Sequence, residues 1–428
     1  MRIITILTIA VILTLGTQLQ AKPVKVELKQ TDGKYRLWVD GKEFYVKGAG
    51  CEFGSIEKLG QHGANSFRTW RTENGQQSGQ QILDRAQKAG LLVLMGLELI
   101  PERRKFDYND SAAVARQFAD IKQQVLKYKD HPALLGWLIG NELNLQYKNP
   151  KVWDAVNDVA KYIHEVDPNH PAATALAGIG KQAVDEIKQR APALDFITVQ
   201  FYGDIVNLQK RLADAQWTGP YMVTEWGATG HWEVRTTEWK APIEETSSAK
   251  AKAFAERYEK AIATDPIRCL GSYVFLWGQK QERTPTWYGM FTQSGDEMET
   301  VDVMHKIWNG SFPANRTPQV NSITLNRKTA YDSVRVKPEE PMAAAIDAAD
   351  PDGDTIQYTF EIMPESTDLG TGGDFETTPS ILTSVKSTKG TLELKAPAKE
   401  GAYRLFFYAR DGKGHCGTGN IPFFVAAK

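Results

Sequence analysis

Eight short apolar segments alternate with stretches in which apolar residues recur every three or four positions. The segments lie at 44–48, 65–70, 91–97, 134–139, 172–177, 196–202, 221–226 and 269–277. That alternation constrains the fold more than any other feature. A short apolar run bounded by turn residues suits a strand buried on both faces, and the stretches between suit helices that cover those faces. Residues 79–89 carry Ile82, Ala86 and Ala89, and 111–128 carry Val114, Phe118, Ile121 and Val125. Helical spacing continues at 151–166, 181–190, 205–215 and 249–263, with a short final helix at 303–308. Eight strand–helix units over about 265 residues predict an α/β fold, a (β/α)8 barrel spanning 44–310. A doubly wound open sheet is the competing architecture, and no Gly-x-Gly-x-x-Gly turn supports it.

The flanks read differently. Residues 22–43 hold two alternating segments and the Asp40-Gly41 turn, a small antiparallel lead-in to the barrel. After Trp308 the residues at 311–319, rich in Pro and Asn, read as a linker. From 320 to 428 about seven short alternating runs are separated by turn residues with no helical pattern, which predicts an all-β sandwich of immunoglobulin-like size. At the other end, Arg2 precedes an apolar run from Ile3 to Leu15, and Ala21 closes a short polar stretch. That is the pattern of a signal peptide at 1–21, so the expected localisation is secreted or periplasmic. The run of about 13 apolar residues is shorter than the ~20 needed to span a bilayer, so no membrane span is expected after its removal.

Charge excludes some functions. Lys+Arg is 51 against Asp+Glu 52, so no electrostatic bias toward nucleic acid follows. Cys51, Cys269 and Cys416 are too few and too scattered for a disulfide scaffold or a zinc site. Cys51 and Cys269 fall at opposite ends of neighbouring strands, beyond disulfide reach, and are expected as free thiols. Asp350, Asp352 and Asp354 are read as turn chemistry in preference to a calcium site, and neither a metal nor an organic cofactor is expected. Eleven tryptophans suit either a large core or the stacking of sugar faces.

In such a barrel the active site lies at the carboxyl ends of the strands. The fourth apolar segment runs into Gly140-Asn141-Glu142 and the seventh into Glu225-Trp226-Gly227, so each delivers a glutamate to the mouth. Charged groups at buried strand ends cost stability unless they have partners or work to do. Two carboxylates facing one cleft are what glycoside hydrolysis requires, one protonated to assist the leaving oxygen and one ionised.

Gly140-Asn141-Glu142 and Thr224-Glu225-Trp226-Gly227, each closing its strand, resemble the corresponding motifs of clan A glycoside hydrolases, and the barrel is most similar to the catalytic domain of glycoside hydrolase family 2. The resemblance covers about 44–308. It implies that Glu142 is the acid/base, Glu225 the nucleophile, and that anomeric configuration is retained. It also implies that Asn141 bonds the sugar 2-hydroxyl, Arg68 holds the nucleophile ionised, Tyr202 hydrogen-bonds it, and Trp277 lies under the sugar. Two features depart from family 2. The sandwich follows the barrel where that family carries β-domains ahead of it, and no histidine stands in Leu97-Glu98-Leu99-Ile100 at the third strand's end.

Other rim residues are weaker candidates. Glu98 is a binding or structural carboxylate, and Glu52 is equally ambiguous. Trp232 and Trp239 in the long insertion at 229–248, with Trp287 and Tyr288 after the eighth strand, either wall a cleft for a chain of sugars or pack the loops on one another. The trailing domain is a carbohydrate binder or a spacer. The expected partner is thus an oligosaccharide or polysaccharide, cleaved by double displacement. A glycosyl transferase using the same covalent intermediate, or an inactive carbohydrate-binding protein, remain the alternatives.

Overall fold

The computed structural model describes residues 22–427; the leader expected at 1–21 lies outside the described residues. Three strands, β1 (Val26–Thr31), β2 (Lys34–Val39) and β3 (Lys42–Phe44), form the antiparallel lead-in. Val26 and Leu37 from this sheet are buried in one cluster with Leu94, Leu138, Phe196, Met222 and Leu270. The lead-in thus plugs the amino end of the barrel, held also by the Val26 and Tyr35 amides on the carbonyls of Asn169 and Ile267.

The barrel itself closes through eight parallel strands in chain order: β4 (Val46–Gly50), β5 (Ser66–Arg68), β6 (Leu92–Leu97), β7 (Leu134–Asn141), β8 (Ala172–Ala177), β9 (Phe196–Gln200), β10 (Tyr221–Glu225) and β11 (Cys269–Val274). Its helices are α1 (Ile56–Gln61), α2 (Gly79–Lys88), α3 (Ser111–Tyr128), α4 (Lys151–Val166), α5 (Lys181–Arg190), α6 (Leu208–Asp214), α7 (Ser247–Arg257) and α8 (Glu299–Asn309). Side-chain caps start several of them. Ser78 and Gln81 form a reciprocal capping box on α2, and the Asp110 carboxylate accepts from the first amides of α3. Helix α1 was absent from the periodicity reading because six residues with two buried positions, Ile56 and Leu59, give too little pattern. Cys51 and Cys269 are buried free thiols, as expected, and Cys416 in the second domain is one too.

The C-terminal domain contains a sheet ordered β12 (Gln319–Leu325), β14 (Pro341–Ala349), β17 (Thr391–Lys395). A second sheet is ordered β13 (Arg335–Val336), β19 (Cys416–Val425), β18 (Gly401–Arg410), β15 (Gln357–Pro364), β16 (Thr383–Ser387). Between them lie Val320, Met342, Phe360, Leu405, Phe407 and Phe423, all buried. Eight strands are described where about seven were expected. The extra one, β16, is an edge strand whose sequence Thr-Ser-Val-Lys-Ser carries no hydrophobic alternation to find.

A buried polar network joins the two domains. Glu244, in the loop before α7, accepts from Lys250, Thr284, Thr286 and Asn420. Arg404 on β18 donates to Asn420, to Glu365 and to the Pro242 carbonyl. Ile243 enters the core of the sandwich, and Trp239 packs against Phe424. Half of the long insertion after the seventh barrel strand therefore serves the domain junction.

Candidate active site

The end of β7 is shaped by a bulge. Its register against β8 shifts between Ile139 and Asn141, Gly140 has φ +69° and Glu142 φ +51°. A Cβ on Gly140 would stand 2.5 Å from Leu143 Cδ1 at a positive φ, which favours glycine at this turn. The Glu142 amide donates to the Ala175 carbonyl at 2.9 Å, and the Asn144 side chain clamps Ala177 through both its carbonyl and its amide. This aims a half-buried Glu142 into the mouth. Glu225 ends β10 with a second register shift, and its carbonyl accepts from the Phe201 amide at 2.9 Å.

The two carboxyls have different surroundings. Glu225 is buried, and three donors converge on it: Arg68 Nη1 at 3.2 Å and Trp70 Nε1 at 2.9 Å on Oε1, and the Tyr202 hydroxyl at 2.9 Å on Oε2. Charge-assisted bonds of this kind stabilise the ionised form. Burial, and secondarily the Glu225 charge, push the Tyr202 hydroxyl well above its usual range, so it stays a neutral donor. No donor among the described residues bonds the Glu142 carboxylate. Burial first, and then repulsion from Glu225, push Glu142 up to about 8, against the opposing charges of Arg103 and Arg68. One carboxyl is arranged to carry a proton near neutral pH, and its neighbour is met by three donors.

Asn141 completes the floor. Its Oδ1 accepts from Arg68 Nη2 at 2.9 Å and from Gln200 Nε2 at 2.8 Å, which commits the amide oxygen and leaves its NH2 group to donate into the mouth. Arg68, fully buried, thereby touches both Glu225 and Asn141.

Glu142, Glu225, Arg68, Asn141 and Tyr202 are brought together as the sequence suggests. Trp232 joins them: it is exposed and meets the Tyr202 ring edge-on at 5.5 Å, beside the nucleophile candidate. Others fall elsewhere. Trp277 does not face the mouth. Its ring is fully buried, donates to the Ser55 carbonyl, and packs on Phe291 at 5.0 Å and on Trp308. Phe275, two residues earlier, meets Trp70, Tyr202 and Tyr288 at 5.8–5.9 Å and takes the mouth position. Trp287 is likewise buried, with Nε1 on the Thr229 carbonyl, so it holds the insertion in place and offers no face to a ligand. Glu98 is exposed and paired with Arg104 at 3.3 Å, away from the carboxyl pair. Glu52 pairs with Arg71 at 2.7 Å on the rim. Asp350 accepts the amides of Asp352 and Asp354, as in a turn, and Asp354 pairs with Lys413 at 2.7 Å; a carboxylate oxygen from each of the three aspartates also lies within 4.8 Å of the others.

Sequence reading missed Trp70, Gln200, Arg103 and Glu282. Trp70 and Gln200 were visible as polar-tipped residues at strand ends, the one signal available. Arg103 donates to the Glu142 carbonyl at 3.2 Å, and the charge of buried Glu282 reaches both Glu142 and Tyr202. Arg103 lies in a single 3-10 turn and Glu282 on a loop, both too short in pattern for periodicity to place a side chain.

No family model matches the chain. A 74-residue stretch is 32% identical to a probable mannan endo-1,4-β-mannosidase F of Neosartorya fischeri, covering 17% of this chain and 16% of that one. Among solved structures, β-glucuronidase 2 of Bacteroides uniformis aligns over 94% of this chain and 48% of its own, at 14% identity and a TM-score of 0.51. The β-glucuronidase of Bifidobacterium dentium aligns over 68% of this chain and 50% of its own, at 17% identity and a TM-score of 0.51. The chain thus spans about half the length of these glucuronidases. In fold, the closed eight-stranded parallel barrel is shared with these β-glucuronidases, and the likeness to the first extends over 94% of this chain, through the β-domain that follows the barrel.

Proposed function

We propose that this protein is an exported, retaining β-glycosidase that cleaves a β-linked glucan or related polysaccharide or oligosaccharide. The observation that carries the reading is the split between two neighbouring carboxyls: Glu142 raised to about 8 without a bonded donor, and Glu225 bonded by Arg68, Trp70 and Tyr202. The named activities of the glucuronidases and the mannosidase, all on β-linked glycosides, support the same class. The apolar run after Arg2 supports export, and no helix among the described residues is long and apolar enough to cross a membrane.

In the first step the Glu225 carboxylate attacks the anomeric carbon while the bond to the leaving oxygen breaks and Glu142 gives that oxygen its proton. Asn141 donates to the 2-hydroxyl of the same sugar. In the second step Glu142, now ionised, takes a proton from water as the water oxygen bonds the anomeric carbon. The ester to Glu225 breaks, and both carboxyls return to their starting forms. Two inversions at one carbon give net retention.

The test is incubation with β-glucans, mannans and xylans, with products sized and their anomeric configuration followed by NMR from the first minutes. Retained configuration, with a slow fluorinated glycoside adding its glycosyl mass to the peptide that holds Glu225, is the expected result. An inverted product, or label on another residue, would overturn it.

A further inference from the structure

Between β15 and β16 the C-terminal domain sends out a long loop, residues 365–382, and its middle lies on the barrel mouth. Five contacts fasten it there. Asp374 pairs with Arg104 at 2.6 Å, and buried Glu376 pairs with Arg283 at 2.7 Å while also accepting the Arg283 amide. The Gly370 and Gly373 carbonyls accept from Arg283 and Lys280. Arg103 and Arg104 follow the third barrel strand, and Lys280 and Arg283 follow the eighth, so the loop bridges two separated parts of the rim.

Both anchors lead directly to the carboxyl pair. A Cβ on Gly372, which has φ +61°, would stand 2.9 Å from Arg103 Nη2, and Arg103 is the residue that bonds the Glu142 carbonyl. Lys280, under Gly373, pairs with Glu282 at 2.7 Å, and the Glu282 charge reaches Glu142 and Tyr202. Arg103 at one end, and Lys280 with Glu282 at the other, therefore stand between the loop and the carboxyl pair. Between the two pinned acids stands Phe375, 84% exposed, more than any other large apolar side chain among the described residues. A single exposed aromatic is ordinary on a surface. This one is held between two ion pairs at the edge of a sugar-cleaving cleft, where an aromatic face can cover the C–H face of a pyranose.

We propose that this loop forms the wall of the substrate cleft beside Glu142, and that Phe375 stacks on a sugar of the leaving-group portion of an oligosaccharide. The inference deepens the glycosidase reading and rests on it. The C-terminal domain then contributes to selection of chain length, and a monoglycoside never reaches Phe375.

The test compares wild type with Phe375→Ala, Phe375→Trp and Arg104→Ala. The probes are cello-, manno- and xylo-oligosaccharides of two to six units, with the 4-nitrophenyl monoglycosides of the same sugars. Phe375→Ala is expected to raise KM for the longer chains by about threefold to tenfold, the scale of one lost aromatic contact, with no change on the monoglycosides. Phe375→Trp restores the wild-type value, and Arg104→Ala, which frees one anchor, shifts KM in the same direction as Phe375→Ala. Equal effects of Phe375→Ala on all lengths, or none, overturn the proposal. Calorimetric binding of the three hexasaccharides separates it from the reading beneath it. A wild type that binds one without cleaving any, and binds it less tightly as Phe375→Ala, overturns the hydrolase reading alone. Binding that Phe375→Ala leaves unchanged overturns the wall, and a wild type that binds none overturns both.

Discussion

Glu142 and Glu244 are both withdrawn from solvent on loops that leave barrel strands, and their carboxyls respond in opposite ways. Glu142 has no bonded donor and is pushed up to about 8, chiefly by burial. Glu244 is more deeply buried, yet its carboxyl is held below the ordinary range. Burial there is opposed by the bonded Lys250 ammonium, by the Thr284 hydroxyl and by the charge of Arg404. Desolvation disfavours a charge in both places, and the number of donors decides whether the charge survives. The mouth leaves its acid unsatisfied, which suits a group that must give up and regain a proton. The domain junction satisfies its acid completely, which suits a group that must not titrate.

The comparison breaks most sharply at Glu225, the satisfied member of the mouth pair. Glu225→Ala should lower turnover on every substrate by roughly ten-thousand-fold or more, the scale of a lost nucleophile. Turnover within tenfold of wild type would remove the nucleophile assignment.

Glu142→Ala should cost about 10²–10⁴ on substrates with poor leaving groups and far less on aryl glycosides whose leaving group needs no proton. Azide should restore turnover and give a product of the original configuration, since it replaces the activated water. An inverted azide product would exchange the two roles. In wild type, kcat/KM should fall as pH rises through about 8, because the first step needs the protonated acid. The same shift has a stability consequence. A carboxyl whose folded value is raised makes the protein lose stability as pH rises from about 4.5, its ordinary value, to about 8. Glu142→Gln, which cannot ionise, should therefore gain on wild type across that window in denaturant midpoints, with no further gain above it.

At the junction the sign is the other way. Glu244 is lowered, so its contribution is present above the ordinary carboxylate range and lost as the pH falls through its folded value. Glu244→Gln strands the Lys250 ammonium, whose side chain is 5% exposed, and should destabilise by about 3–5 kcal/mol. Glu244→Gln combined with Lys250→Met should recover part of that loss. A single variant as stable as wild type would show that the network holds no strongly coupled charge.

The smallest effect is expected at Trp70, one of three donors to Glu225. Trp70→Phe keeps the ring and deletes the N–H, removing one charged hydrogen bond worth ~1.5–3 kcal/mol, so kcat should fall about tenfold to a hundredfold with KM little changed. No change would mean that Arg68 and Tyr202 alone suffice.

Much of the barrel was legible because its signals are local. An apolar run is read from neighbouring residues, and chain order around a barrel follows from the strand–helix alternation itself. Glu142, Glu225, Arg68, Asn141 and Tyr202 were legible for the same reason, since a strand end in a barrel is also an address at the mouth. Trp277 was misplaced because the chain leaves β11 at Val274, and three residues of irregular backbone are enough to turn a ring outward. Trp287 and Trp239 were ambiguous for a related reason, since a loop tryptophan carries no period to say whether it faces a ligand, the barrel or the sandwich. Edge strand β16 and helix α1 escaped because neither buries enough apolar surface to leave a pattern.

The sequence by itself determined the two domains, the barrel and the pair of glutamates at its mouth, all of which rest on contacts and periodicities within a few residues. Only the tertiary structure decided which glutamate stands without a donor, and that the loop at 365–382 reaches the mouth of a barrel that ends some 55 residues earlier at Asn309. Both depend on groups distant in the chain, Arg68 with Glu225 and Arg104 with Asp374. Desolvation and charge pairing act through space, at distances that no spacing along the chain records.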